Sequence, residues 1–107
     1  MPTLAPNVLG FTAFCSFNAD AAAAAFFVQR GFTSFVRNGV GDYTLTLTDG
    51  VNSQTQGMVH GTVQNNAAAM IGVEFLTTTT LRVRTLTSAA AAADIDFWLF
   101  VMESGPN

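Results

Sequence analysis

The sequence has few charged side chains, and none of them is a lysine. Charged residues make up 10% of the 107 residues, whereas an ordinary soluble domain has about 25%. Four arginines and seven carboxylates give a net charge of −3 at pH 7. A protein that binds a nucleic-acid backbone sets several Lys or Arg side chains against the phosphates. The composition therefore predicts that nucleic acid is not a direct partner.

Side chains that bind metals or act as nucleophiles are also scarce. The chain has one cysteine, Cys15, and one histidine, His60. A single cysteine excludes a disulfide framework within the chain, and a single histidine falls short of the three or four ligands of a typical metal site. A Cys–His nucleophilic pair needs a third, orienting group, and no motif supplies one. We expect no metal, no cofactor and no enzymatic activity.

No apolar run is long enough to cross a bilayer. The longest runs, residues 21–28 and 97–102, fall far short of the roughly 20 residues that a transmembrane helix needs. The N-terminal stretch lacks a basic region, and Pro, Asn and Thr interrupt its apolar residues. A secretory signal is therefore not expected, and neither is a membrane partner.

What the sequence does contain is an alternation of apolar and polar residues with a period of two, which is typical of half-buried strands. The clearest example is the segment 43–48, in which Tyr and Leu alternate with Thr. Half of all residues are hydrophobic, and similar segments recur at fairly even intervals. Strands are predicted over residues 8–17, 26–30, 32–38, 43–48, 57–64, 69–76, 80–87 and 95–102.

About eight short strands predict an all-β protein, an antiparallel β-sandwich of jelly-roll type. One sandwich domain is expected over residues 8–107, which is a normal length for a single core. Pro2 and Pro6 keep the chain extended and remove backbone donors, so residues 1–7 are predicted to form an extended N-terminal arm.

The alanine-rich segment 20–30 leaves an alternative open. A short helix could begin after Asn18 or Asp20 and end at Gly31, because alanine has the highest helix propensity. The residues 26–28, Phe-Phe-Val, favour a strand instead. Turns are predicted at Asn38-Gly39 and at Asp49-Gly50, dipeptides that suit the positive φ angles of tight hairpins.

Several predicted strands are apolar on both faces. In a two-sheet sandwich only one face of each strand packs inward, and monomers rarely expose an apolar patch of more than a few hundred Å². The chain also has no lysine to protect its edge strands. We interpret the surplus apolar side chains as the interface of a homo-oligomer, with coverage by loops or by the N-terminal segment as the alternative. These side chains are Phe14, Phe35, Trp98, Phe100 and Met102.

The charged residues are interpreted as structural. Arg82 and Arg84 share one face of a predicted strand, and Asp94 and Asp96 share a face at the start of another, so cross-strand pairing between the two sets is predicted. Paired carboxylates could instead bind calcium or cleave glycosides, but their spacing lacks the interleaved Asn, Asp and Gly of a calcium loop.

Two stretches resemble small structural β-domains of viruses and phages. Residues 30–49, RGFTSFVRNGVGDYTLTLTD, contain a strand with Arg, a Gly-rich corner, and then Tyr before an alternating Thr/Leu strand. Residues 91–101, AAADIDFWLFV, are similar to the closing strand of such modules. The resemblance implies a TNF-like jelly roll that assembles as a trimer, with Gly39, Gly41 and Tyr43 shaping the corner.

The resemblance further implies a structural virion protein, a capsid decoration or cement protein that stabilises a phage head. Its partners would be copies of itself and the major capsid protein or another virion protein. It would be made in the host cytoplasm without a signal peptide and located on the capsid surface. The alternative is a carbohydrate- or receptor-binding jelly roll of a tail or head fibre, with loops that present Trp98 or Tyr43.

Overall fold

The alternating segments fold as β-strands in a computed structural model, which describes residues 9–20, 22–49, 57–64 and 69–104. The side chains of residues 9–12, 103 and 104 are outside this description, as are the predicted arm over residues 1–7 and the predicted turn residue Gly50. The eight strands are β1 (Leu9–Asn18), β2 (Ala25–Arg30), β3 (Phe32–Gly39), β4 (Asp42–Leu47), β5 (Gly57–Val63), β6 (Ala69–Phe75), β7 (Thr80–Thr87) and β8 (Phe97–Ser104).

The strands form two four-stranded antiparallel sheets. Sheet A has the order β2-β1-β8-β5 and sheet B the order β3-β4-β7-β6. The predicted all-β antiparallel sandwich is confirmed. The jelly-roll topology is not confirmed, since β1–β2, β3–β4 and β6–β7 are neighbours in the chain that pair within one sheet.

The core lies between the two sheets and is built from their inward side chains. Phe17 is fully buried at its centre, with ring-centroid distances of 4.9 Å to Phe97, 5.1 Å to Tyr43 and 4.9 Å to Phe35. Aromatic rings at these separations add to the free energy that area burial alone supplies. The buried core comprises Ala13, Cys15, Phe17, Ala19, Phe32, Tyr43, Leu45, Leu47, Leu81, Val83, Phe97, Leu99 and Val101.

Phe35 is half-buried and packs against this core, so it does not share an outer face with the other four predicted interface residues. A strict alternation along β3 would put Phe32 and Phe35 on opposite faces. The register of β3 against β4 shifts between Phe32 and Ser34, and this bulge adds one residue to the strand. Phe32 and Phe35 consequently both pack against the core, where Phe35 contacts Phe17 and Phe26.

The β3–β4 turn lies two residues later than the predicted Asn38-Gly39 dipeptide and contains Gly41, which was also predicted as a turn residue. β3 continues through Asn38 and Gly39, and Gly39 pairs with Asp42. The turn is formed by Val40 and Gly41, and Gly41 has a φ of 63°. The prediction that Asn38-Gly39 forms the turn is wrong because a second register shift, between residues 37 and 39, extends the strand. Asp49 follows the end of β4 in a bend.

The segment after β1 forms a turn and a strand, so the helix alternative is wrong. Asp20 caps the turn, with its Oδ1 accepting a hydrogen bond from the backbone N–H of Ala22 at 2.9 Å. β2 then begins at Ala25. Gly31, with a φ of 87°, is the single residue between β2 and β3. It forms the corner at which the chain passes from sheet A to sheet B.

Replacing Gly41 by alanine is expected to lower the free energy of unfolding by about 3 kcal/mol, because the φ angle disfavours a side chain and the space is filled. A Cβ atom at this position would lie 2.5 Å from the carbonyl oxygen of Thr85 and 2.7 Å from that of Ala93. Gly39→Ala is the matched control, since a Cβ there meets nothing within 4 Å. Urea unfolding of both variants measures the difference, and equal losses would contradict it.

Candidate interaction surface

The outward side chains of sheet A form one continuous surface, which we call face A. The strand register places them in rows that run across the sheet. The first row is Val28, Ser16, Trp98 and Thr62, the second is Arg30, Phe14, Phe100 and His60, and the third contains Met102 and Met58.

The middle of face A is apolar and open to solvent. Trp98 is 45% exposed, Phe100 36% and Met58 43%. Phe14 and Met102 are half-buried, and Phe14 lies directly across from Phe100 in the β1–β8 pair. The structure therefore brings four of the five predicted interface residues together on one face.

The five predicted interface residues include none from β5, although alternation puts Met58, His60 and Thr62 on one face of this strand, which indicates a half-buried or interface position. Met58 and His60 lie opposite Met102 and Phe100 in the β5–β8 pair. A signal was present, because the segment 57–63 has small or β-branched residues at alternate positions and Met58 between them. Only the pairing of β5 with β8, which is not local in sequence, shows that Met58 extends the same surface.

The outward side chains of sheet B, which we call face B, are mainly polar. Three threonines line its centre, and Arg82 forms a two-pronged ion pair with Asp42, with distances of 3.0 Å from Nε to Oδ1 and 2.7 Å from Nη2 to Oδ2. Arg82 lowers the pKa of Asp42. The members of face B on the paired strands are Ser34, Val36, Asp42, Thr44, Thr46, Met70, Gly72, Glu74, Thr80, Arg82, Arg84 and Leu86.

The predicted pairing of Arg82 and Arg84 with Asp94 and Asp96 is wrong. Both arginines are on β7, at the centre of sheet B, whereas the two aspartates precede β8, which belongs to sheet A. Arg82 instead pairs with Asp42 on the adjacent strand β4. Arg84 lines a shallow groove of about 300 Å³ on face B, beside Gly72 and Glu74.

Asp94 connects the segment before β8 to the β3–β4 turn. Its carboxylate accepts hydrogen bonds from Arg37 Nη2 at 2.7 Å, from the Gly41 N–H at 2.8 Å and from the Tyr43 hydroxyl at 2.5 Å. Burial is the largest single influence on the pKa of Asp94 and raises it, but the hydrogen bonds from Arg37, Tyr43 and Gly41 together hold the pKa below its ordinary value. Asp94 is therefore ionised and structural.

Asp96 and Thr85 hold the same segment at two further points. Asp96 Oδ1 accepts a hydrogen bond from the Ala19 N–H at 2.8 Å, which fixes the end of β1. The hydroxyl of the fully buried Thr85 donates to the Ala93 carbonyl oxygen at 2.6 Å. These contacts set the position at which β8 begins.

Cys15 and His60 lie on opposite faces of sheet A and form no catalytic pair. Cys15 is buried in the core, and burial raises the pKa of its thiol to about 12. His60 is on face A and is exposed. Among the residues that the structure describes, no group of three or more His, Cys, Asp or Glu side chains could hold a metal ion. The described part of the chain also contains no helix that could span a membrane.

Of the two aromatic residues considered for ligand binding, only Trp98 is accessible. Tyr43 is fully buried, and its hydroxyl is held by Asp94. Burial, followed by the neighbouring Asp94 carboxylate, raises the pKa of Tyr43 above its ordinary value. Trp98 lies on face A between Ser16 and Thr62.

Comparisons with protein-family models, with curated proteins and with solved structures found no match to this chain.

Asp94→Asn is expected to lower the free energy of unfolding at pH 7 by about 1–3 kcal/mol, because charge-assisted hydrogen bonds are lost. The pKa of Asp94 is lower in the folded chain than in the unfolded chain. Its stabilising contribution is therefore complete above about pH 4 and is lost as the pH falls through the folded-state value.

Unfolding measured from pH 7 to pH 2 should thus show a smaller acid-induced loss of stability in Asp94→Asn than in the wild type. Asp49→Asn is the control, since Asp49 is exposed beyond β4, and it should retain the wild-type profile. An Asp94→Asn profile parallel to that of the wild type would contradict the role assigned to this carboxylate.

Cys15 is expected to resist thiol reagents while the chain is folded. A pKa of about 12 reduces the thiolate fraction at pH 8 by about a thousandfold relative to an ordinary cysteine, and the core excludes the reagent as well. Labelling with an aromatic disulfide should be slow in buffer and complete in denaturant. Val36→Cys in a Cys15→Ala background is the exposed control, and equal rates for the two thiols would refute the expectation.

Proposed function

We propose that the chain is a structural protein of a virus particle, a capsid decoration protein that stabilises a phage head by covering contacts between subunits. The observation that carries this proposal is face A, an apolar sheet surface centred on Trp98, Phe100 and Met58. Such a surface on a small domain is typical of a protein interaction site. The protein would act through burial of this surface and would not convert a substrate.

The spatial arrangement of the two virus-like stretches supports the virion setting. Arg37, Gly41 and Tyr43 belong to the stretch 30–49, and Asp94 belongs to the stretch 91–101. Arg37, Gly41 and Tyr43 each donate a hydrogen bond to the Asp94 carboxylate. The two segments that carry the resemblance therefore form one connected corner of the sandwich, as expected if they belong to one structural module.

Burial of face A would supply the binding free energy. Each Å² of apolar surface removed from water contributes about 25 cal/mol, part of which offsets the loss of translational and rotational freedom. The partners proposed are copies of this chain and the major capsid protein or another virion protein.

One observation favours a second candidate function, the binding of a carbohydrate or receptor by a fibre domain. Trp98 has hydroxyl-bearing neighbours on both sides, Ser16 and Thr62, and exposed aromatic rings flanked by hydrogen-bonding groups suit ligand recognition. The buried Tyr43 does not contribute to such a site. In this case face A would bind a ligand and not another protein chain.

The experiment that tests the proposed function uses particles produced from the genome that encodes the chain. We expect mass spectrometry of purified particles to detect the chain in many copies. Particles from a deletion strain should release their genome at a lower temperature, and added wild-type chain should restore the wild-type value. Absence of the chain from purified particles, or binding to a glycan array with no binding to particles, would overturn the proposal.

A further inference from the structure

We propose that face A is covered by face A of a second copy of this chain, so that two sandwiches pack sheet against sheet about a two-fold axis. The inference rests on the proposed function, because it names the partner of the surface through which that function acts. It specifies a geometry that neither the sequence nor the resemblance provides.

The distribution of exposed apolar side chains favours contact between two identical faces. A cyclic trimer needs two different complementary patches on each copy, whereas a two-fold contact uses one patch twice. Face A is a continuous apolar patch. The other large exposed apolar side chains in the described ranges are more scattered: Phe27 is on β2 at the register shift of the β1–β2 pair, Val36 and Met70 are on the two opposite edge strands of face B, Val40 is in the β3–β4 turn and Leu76 follows β6.

The arrangement of polar and apolar groups on face A is that of a protein interface. Its centre has aromatic and methionine side chains, which are enriched at the buried cores of interfaces. Arg30 and His60 lie at opposite edges of the second row, on the outermost strands β2 and β5. Both can remain hydrated at the rim of the contact. The described outward side chains of sheet A include no carboxylate. Packing face A of one copy on face A of the other therefore buries no ionised carboxylate from these positions.

The size of face A is close to what a stable pair requires. The ten described positions of face A, about 4.8 Å apart between strands and about 6.8 Å apart along them, cover a flat area of about 330 Å² on each copy. Because the side chains protrude, two such faces bury a total of about 1,000 Å², which is near the lower limit for a specific interface. The pair should therefore be reversible and should dissociate on dilution through about the micromolar range.

The packing expected is that of a β-sandwich repeated between copies. Two sheet faces stack about 10 Å apart with their strands within about 30° of each other. β8 is a central strand of sheet A. Its outward side chains Trp98, Phe100 and Met102 would therefore contact the same three side chains of the second copy. Each copy would then keep face B, with its Arg82–Asp42 ion pair, on the outside.

The test uses Trp98, which is the only tryptophan of the chain and lies in the proposed contact. Dilution of the purified full-length chain should shift the Trp98 emission to longer wavelength and increase its quenching by acrylamide. Sedimentation should show the mass falling from two chains to one over the same range. A mass of one or three chains at all concentrations, or a two-chain mass with unchanged Trp98 emission, would overturn the proposal.

Two matched variants separate the faces. Met58→Arg and Val36→Arg each place an arginine at an exposed apolar position on an edge strand, the first on face A and the second on face B. We expect Met58→Arg to raise the dissociation constant of the pair about tenfold or more, and Val36→Arg to change it less than about twofold. If Met58→Arg does not fold, Trp98→Thr takes its place, because threonine also favours a strand. Equal effects of the two variants would overturn the assignment to face A.

The outcomes also separate this inference from the proposed function. A chain that is monomeric in solution but present in purified particles would refute the two-fold pair and leave the virion role intact. A chain that pairs through face A but is absent from particles would refute the virion role and leave the two-fold pair intact. A monomer whose Trp98 emission responds to soluble oligosaccharides would assign face A to a carbohydrate and overturn the pair.

Discussion

The pleat of β8 is the constraint on which the rest of the structure depends. Successive side chains of a strand point to opposite faces of the sheet, and residues 97–102 are all apolar. Phe97, Leu99 and Val101 are fully buried in the core. The strand cannot place these three inside without placing Trp98, Phe100 and Met102 outside. Face A follows directly from this, since β1 and β5 add Phe14 and Met58 on either side.

The position of β8 is in turn set by the polar contacts of the segment that precedes it. Asp94 holds this segment to the β3–β4 turn, and Asp96 holds it to the end of β1. The charged groups of the chain are thus used mainly to join its two sheets and to neutralise face B. Few charges are left for face A, where Arg30 is the only charged residue among the described outward positions.

Sequence patterns predicted the positions of the strands, which depend on local residues. They failed for strand register and ion-pair partners, which depend on contacts between residues distant in the sequence. Alternation placed all eight strands to within a few residues, and Phe-Phe-Val at 26–28 correctly indicated a strand. Alternation could not reveal the bulge that turns Phe35 inward or the one that moves the turn from Asn38-Gly39 to Gly41, because both depend on the register with β4. The sequence did not reveal the ion-pair partners of Arg82 and Asp94, because these partners depend on the sheet to which each strand belongs. Alternation showed that the last strand is apolar on both faces but left open which face is the core, and the structure shows that Trp98, Phe100 and Met102 are the outward set.

The functional account is based on the difference between the two outer faces. Face B is mainly polar and can stay hydrated, whereas the centre of face A is apolar and is proposed to pack against a second copy. The most direct measurement is an isotope-filtered nuclear Overhauser experiment on a mixture of ¹³C-labelled and unlabelled chains at a concentration at which pairs form. The account predicts intermolecular contacts between the Trp98 ring of one copy and the methyl groups of Met58 or Met102 of the other. Intermolecular contacts confined to Val36 or Val40, or none at all from Trp98, would contradict it.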